Sequence, residues 1–111
     1  MKKVKQVPRT YRQGDVLLVE VAQIPVNAKA VRRVGGRVIL AEGEVTGHRH
    51  AISDGGVELL ELGERRYLNV PETGAELRHE EHTKIDVTPG AYEVVIQREF
   101  DDAEEWRRVA D

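Results

Sequence analysis

Residues 15–22, with the sequence DVLLVEVA, are the first stretch that indicates the fold class of this chain. The stretch is short and rich in β-branched and aliphatic residues, which favour a β-strand. Turn-forming residues separate it from the stretches that follow, and Gly35-Gly36 is predicted to form a hairpin turn. The further strand-like stretches are residues 37–42, 47–53, 57–62, 66–70, 75–79, 83–87 and 91–100. About eight strands with closely spaced turns predict an all-β domain, either a small barrel or a compact sandwich.

The length of 111 residues suits one domain of ordinary size. Hydrophobic residues make up 40% of the chain and charged residues 33%, which favours a folded and soluble protein. We expect residues 1–12 to form a flexible basic arm and residues 13–111 to form a single β domain. A short helix is predicted over residues 103–110 and would dock through Trp106 and Val109.

Several absences narrow the setting in which the protein works. No apolar run approaches the ~20 residues that cross a bilayer, the N-terminal residues lack the apolar segment of a secretory signal, and the sequence has no cysteine. These features predict a cytoplasmic protein without a membrane span, a disulfide or a thiolate metal site.

The charge distribution bears on the partners. The arm contains basic residues and no acidic one: Lys2, Lys3, Lys5, Arg9 and Arg12. The whole chain nevertheless has a net charge of −3, so the remainder is acidic and repels a polyanion. The sequence therefore argues against nucleic acid as a partner. The apolar run at residues 38–41 and the need to cover strand edges predict a homo-oligomer, most simply a dimer.

All four histidines lie in two close pairs, His48 with His50 and His79 with His82. Residues two apart on a strand face the same side, so His48 and His50 would both face inward with Ile52. Buried imidazoles need partners for their nitrogens, and a divalent metal ion is one such partner. His82 can join His79 only if the strand is interrupted between them, so we expect an irregular segment there.

The two pairs together predict a site for one divalent transition metal, with all four histidines as candidate ligands. Imidazole donors without thiolates suit zinc, iron, manganese or nickel. Glu80 and Glu81 lie beside the second pair and are candidate general bases if the metal holds a water molecule. Such a site would act on a small-molecule substrate.

Several blocks of the chain carry a family resemblance: Gln13-Gly14-Asp15-Val16, residues 41–52 (AEGEVTGHRHAI), His79-Glu80-Glu81-His82, Pro89-Gly90-x-Tyr92 and residues 108–111 (RVAD). In these blocks the chain is similar to a small family of uncharacterised bacterial and prophage proteins, and the resemblance implies a mobile-element setting but no activity. The H-x-H pattern followed by residues 71–79 (PETGAELRH) also resembles the two motifs of cupin barrels. Ser53, Asp54 and Gly55 stand where a cupin has its ligand glutamate, so this resemblance extends to the fold alone.

Two hypotheses from different classes therefore stay open. In the first, the protein is a small β-barrel that binds one divalent metal, with no reaction assigned. In the second, it is a non-enzymatic interaction module of a phage or mobile element, and its histidines have structural roles. The sequence contains no phosphate-binding loop, dinucleotide-binding motif or nucleophile elbow.

Overall fold

The computed structural model describes residues 7–43 and 47–97, and these residues form ten β-strands. The strands are β1 (Thr10–Gln13), β2 (Val16–Val21), β3 (Lys29–Ala30), β4 (Val38–Glu42), β5 (Arg49–Ile52), β6 (Glu58–Leu62), β7 (Arg65–Val70), β8 (Ala75–Arg78), β9 (Ile85–Val87) and β10 (Gly90–Ile96). The all-β prediction is confirmed for this part of the chain. The predicted helix over residues 103–110, with Trp106 and Val109, lies outside the described residues.

The strands form two antiparallel sheets. The larger sheet has six strands in the order β1-β2-β10-β7-β6-β3, and the smaller has four in the order β4-β5-β8-β9. Each sheet has two edge strands, so the described residues form two open sheets rather than a closed barrel. Among the described residues no helix is long and apolar enough to cross a membrane.

The two sheets share one apolar core. Alternate residues of their strands point into it, as shown by the buried pairs Val16 and Leu18 in β2 and Val38 and Leu40 in β4. Among residues 7–43 and 47–97, Tyr92 of β10 has the largest fully buried side chain. Because the smaller sheet buries only one face in this way, the alternate residues of β5 and β8 lie on its outer face.

Two strands arise where the sequence analysis placed none. β1 begins at Thr10, inside the segment expected to be an arm, and pairs with β2 along its full length. Its sequence, TYRQ, has no alternation of apolar and polar residues, because β1 is an edge strand that buries mainly Gln13. β3 has only two residues and pairs at the opposite edge of the same sheet. Neither strand has the hydrophobic pattern by which strands are recognised.

Three turns of the described residues have the two-residue form of tight hairpins, at Gly35-Gly36, Gly14-Asp15 and Gly63-Glu64, and the first two bear on the site. The predicted turn at Gly35-Gly36 is confirmed, since both glycines have positive φ (60° and 78°) and an isolated bridge pairs the residues on either side. The β1–β2 hairpin turns at Gly14 and Asp15, with φ of 59° at Gly14, as a type II′ turn requires at its first central position. This second turn carries Asp15 to the end of the smaller sheet where the histidines lie.

Candidate metal centre

His50 is the buried histidine of the cluster. It lies on β5 two residues before the core residue Ile52, so both side chains point inward from the same face of the strand. Only 5% of the surface of His50 is exposed. The sequence analysis predicted this inward direction for both His48 and His50, but β5 begins at Arg49 and His48 precedes it. The strand alternation therefore determines the direction of His50 alone.

Gln13 determines which nitrogen of His50 carries the proton. The Gln13 side-chain amide donates to the carbonyl oxygens of Leu77 at 2.8 Å and Thr83 at 3.0 Å. Because both amide hydrogens point at carbonyls, the atom of Gln13 that lies 2.8 Å from His50 Nδ1 is its oxygen, which can only accept. His50 therefore donates from Nδ1, and its neutral ring has a lone pair on Nε2.

Asp15 faces that lone pair. Its carboxylate oxygen lies 3.3 Å from His50 Nε2. Burial lowers the pKa of His50 to about 4, and the neighbouring His79 and His82 add to this effect, while Asp15 opposes it. At neutral pH the ring is uncharged, so two hydrogen-bond acceptors face each other across a short distance. A cation between the two groups would remove this repulsion.

His79 and His82 come from the connection between β8 and β9. β8 ends at Arg78 and β9 begins at Ile85, so the predicted interruption of the strand is confirmed. The break brings both rings against His50: the His79 ring centroid is 4.2 Å from that of His50 and 4.5 Å from that of His82. Nitrogens of these three histidines all lie within 4.8 Å of one another.

This spacing is close to that of a metal site. Ligands at the usual zinc–nitrogen distance are about 3.4 Å apart around a tetrahedral ion. Ring nitrogens of the three histidines lie within 4.8 Å of one another, and small side-chain rotations would bring them to that separation. Gly14 gives His82 the necessary space, because a Cβ at this glycine would lie 2.7 Å from His82 Nε2.

His48 lies at the rim of the cluster. Its ring meets the ring of His79 edge-on at 5.6 Å, and its Nδ1 is 3.5 Å from a carboxylate oxygen of Glu81. Within the described ranges, His48 forms a second potential ligand group with His79 and Glu80, whereas His50 belongs to the group with His79 and His82. The two groups share only His79.

The two candidate bases of the sequence analysis are both engaged in contacts. Glu80 Oε1 accepts the backbone N–H of Arg49 at 2.9 Å, and hydrogen bonds to backbone N–H groups lower the pKa of this exposed carboxyl. Glu81 is the partner of His48. A lowered pKa makes Glu80 a weaker base. Its hydrogen bond to the Arg49 backbone joins the β8–β9 connection to β5, which is a structural role.

Sequence reasoning about the site did not include Gln13, Gly14 and Asp15, although these residues open the first block of the family resemblance. They lie more than 30 positions before the nearest histidine. The one available indication was the Gly14-Asp15 dipeptide at the start of the first predicted strand, residues 15–22. A tight turn of that kind brings a carboxylate to a sheet end, but it does not show which other residues will be there.

Comparison with known proteins places the chain in a family. The model of a domain of unknown function (DUF8820) matches residues 12–97. Because this match covers more than half of the sequence, the chain belongs to that family. No curated protein and no solved structure matches the chain. The family description names no activity, so function is argued from the site itself.

Proposed function

We propose that the protein binds one divalent transition-metal ion through His50, His79 and His82, with Asp15 as a further ligand. His48 lies beside His79 and is the outermost candidate of the cluster. Three imidazoles are borderline donors and a carboxylate is a hard donor, and such a set suits zinc, iron, manganese or nickel.

The observation that carries the proposal is that His50 is buried with its proton on Nδ1 and a lone pair on Nε2. A buried imidazole whose Nδ1 donates to an amide oxygen directs a free lone pair from Nε2, which is the usual arrangement of a ligating histidine. Gln13 is in turn fixed by two backbone carbonyls. The carboxylate of Asp15 lies on the side of that lone pair, where a cation would be bound.

The metal-binding test uses protein produced without a histidine tag. We expect metal analysis after purification, and titration of chelator-treated protein with Zn²⁺, to give one ion per chain. Because His82 is exposed, His82→Ala should keep the fold and weaken Zn²⁺ binding at least tenfold. Asp86→Asn removes an exposed carboxylate of β9 outside the cluster and should leave Zn²⁺ binding unchanged.

Two results would contradict the proposal. The first is less than one tenth of an ion per chain together with a melting temperature that EDTA does not change. The second is Zn²⁺ binding that falls equally in His82→Ala and Asp86→Asn, which would indicate adsorption to surface charge. Either result would support the alternative, an interaction module with hydrogen-bonded structural histidines.

A further inference from the structure

A cleft of about 210 Å³ lies on the outer face of the smaller sheet, beside the histidine cluster. Most of the charged residues that line the cleft are basic. The whole lining consists of Arg37, Arg49, Ala51, Ser53, Arg78, His79 and Glu80. Its volume is below that of sites for drug-sized molecules and suits a ligand of a few heavy atoms.

Strand alternation explains why these residues meet on one face. Arg49, Ala51 and Ser53 alternate along β5 with the inward residues, and Arg78 of β8 lies directly opposite Ala51. Arg37 immediately precedes β4 and joins from the Gly-Gly hairpin. Because the side chain of Ala51 is short, it forms the floor of the cleft between the longer arginine side chains.

The three arginines of the cleft differ in their ion pairs. Arg49 donates from Nε to Glu42, and Arg78 donates from Nε and Nη2 to one oxygen of Glu76. Arg37 makes no ion pair with any side chain in the described part of the chain. Glu80 is the acidic residue of the lining, and one of its oxygens already accepts the Arg49 backbone N–H. Arg49 and Arg78 are each paired with a carboxylate that lies outside the lining, so Arg37 is the guanidinium group of the described cleft that is left to meet a bound anion without first breaking an ion pair.

Guanidinium groups match the paired oxygens of carboxylates and phosphates through parallel N–H donors. Ser53, which also lines the cleft, adds a hydroxyl group. His79 belongs both to this cleft and to the proposed ligand set, so a molecule bound in the cleft contacts the metal site from its open side.

We propose that this cleft binds a small oxyanion, a carboxylate or a phosphate, held by Arg37 and Arg78 against His79. The proposal that the cleft binds an oxyanion does not depend on the metal. The further proposal, that the bound oxyanion coordinates the metal or reacts there, rests on the proposed function.

The first measurement is calorimetric titration of metal-free protein with inorganic phosphate and with succinate at constant ionic strength. We expect saturable binding of at least one of them, weakened at least tenfold by Arg37→Gln and by Arg78→Gln. Arg65→Gln is the matched control, because Arg65 is an exposed arginine of β7 that pairs with Glu93, outside the cleft. Tighter binding of phosphate indicates a phosphorylated ligand, and tighter binding of succinate a carboxylic acid.

The second measurement uses Co²⁺, whose visible absorption reports its ligands. We expect the better-bound anion to change the spectrum of the Co²⁺-loaded protein, and Arg37→Gln to abolish that change while it keeps the starting spectrum. If Co²⁺ does not bind but the calorimetric pattern holds, the proposed function fails and the oxyanion cleft stands. The cleft proposal is overturned if neither anion binds saturably, or if Arg65→Gln weakens binding as much as the cleft variants do. If Co²⁺ binds and the better-bound anion leaves its spectrum unchanged, the link between cleft and metal is overturned.

Discussion

Replacement of Gln13 by leucine tests the argument about the site most directly. Gln13 is 2% exposed, and its amide connects the β1–β2 turn to both ends of the β8–β9 connection and to His50. Gln13→Leu keeps the approximate size of the side chain and removes all three hydrogen bonds. The carbonyls of Leu77 and Thr83 and the Nδ1–H of His50 would then lose their partner.

The magnitude follows from these groups. An unsatisfied buried polar group costs about 1–3 kcal/mol, and less where water can reach it. The Leu77 and His50 bonds are buried, whereas the Thr83 bond is only partly buried. We therefore expect Gln13→Leu to lower the free energy of unfolding of the metal-free protein by about 2–4 kcal/mol. Loss of the group that orients a ligand histidine should also weaken Zn²⁺ binding about 10–100-fold.

Urea unfolding of metal-free protein measures the first effect, and Zn²⁺ titration of the folded variant measures the second. Nitrogen chemical shifts of the imidazoles should show His50 protonated at Nδ1 in the wild type and no longer so uniformly in Gln13→Leu. Gln23→Leu makes the same chemical change at an exposed position and should stay within about 0.5 kcal/mol of the wild type. A Gln13→Leu protein as stable as Gln23→Leu, with an unchanged His50 tautomer, would refute the reasoning.

The other predictions concern the neighbouring glycine, pH and assembly. Gly14→Ala combines a positive φ of 59° with a Cβ 2.7 Å from His82 Nε2, so it should cost about 1–3 kcal/mol in urea unfolding and displace His82, seen as weaker Zn²⁺ binding; unchanged affinity would show that His82 is not a ligand. The pKa of His50 is about 4 in the folded protein, against about 6.5 when unfolded, so the unfolded chain binds more protons between these values. The metal-free protein should keep its full stability above pH 6.5 and lose up to about 3 kcal/mol as the pH falls to 4; a flat unfolding profile over this range would contradict the burial argument. Both sheets retain edge strands, so light scattering should give twice the mass of one chain, and a monomer at high micromolar concentration would contradict this.

The sequence was sufficient to predict the all-β class, most of the strands and the burial of His50. All three follow from local patterns: apolar runs bounded by turns, and the two-residue alternation that places His50 with Ile52. The interruption that brings His79 and His82 together also followed from local parity, because a regular strand would have separated them. These inferences need no knowledge of which strands become neighbours.

The rest of the site depends on long-range packing. Gln13 contacts Leu77 and Thr83 across 64 and 70 residues of sequence, and nothing in the TYRQ segment shows that it will dock there. The start of β5 at Arg49 likewise depends on the pairing of Arg49 with Glu42 of β4, which leaves His48 outside the strand. The same pairing arranges the arginines of the cleft, and the sequence alone did not indicate that cleft.

His79 connects the two proposed binding events through one imidazole ring. Its Nδ1 accepts the backbone N–H of Glu81 at 3.0 Å, so in the neutral ring the proton is on Nε2. A histidine that ligates through Nε2 must carry its proton on Nδ1, and one that ligates through Nδ1 must release the Glu81 amide. Either route breaks that hydrogen bond, so we expect binding of a metal by His79 to shift the β8–β9 connection where Glu81 lies. Because Arg78 and Glu80 flank His79 in the lining of the cleft, we expect the same rearrangement to change the proposed oxyanion site. We therefore expect the two proposed ligands to be thermodynamically coupled, each altering the affinity for the other by the same factor.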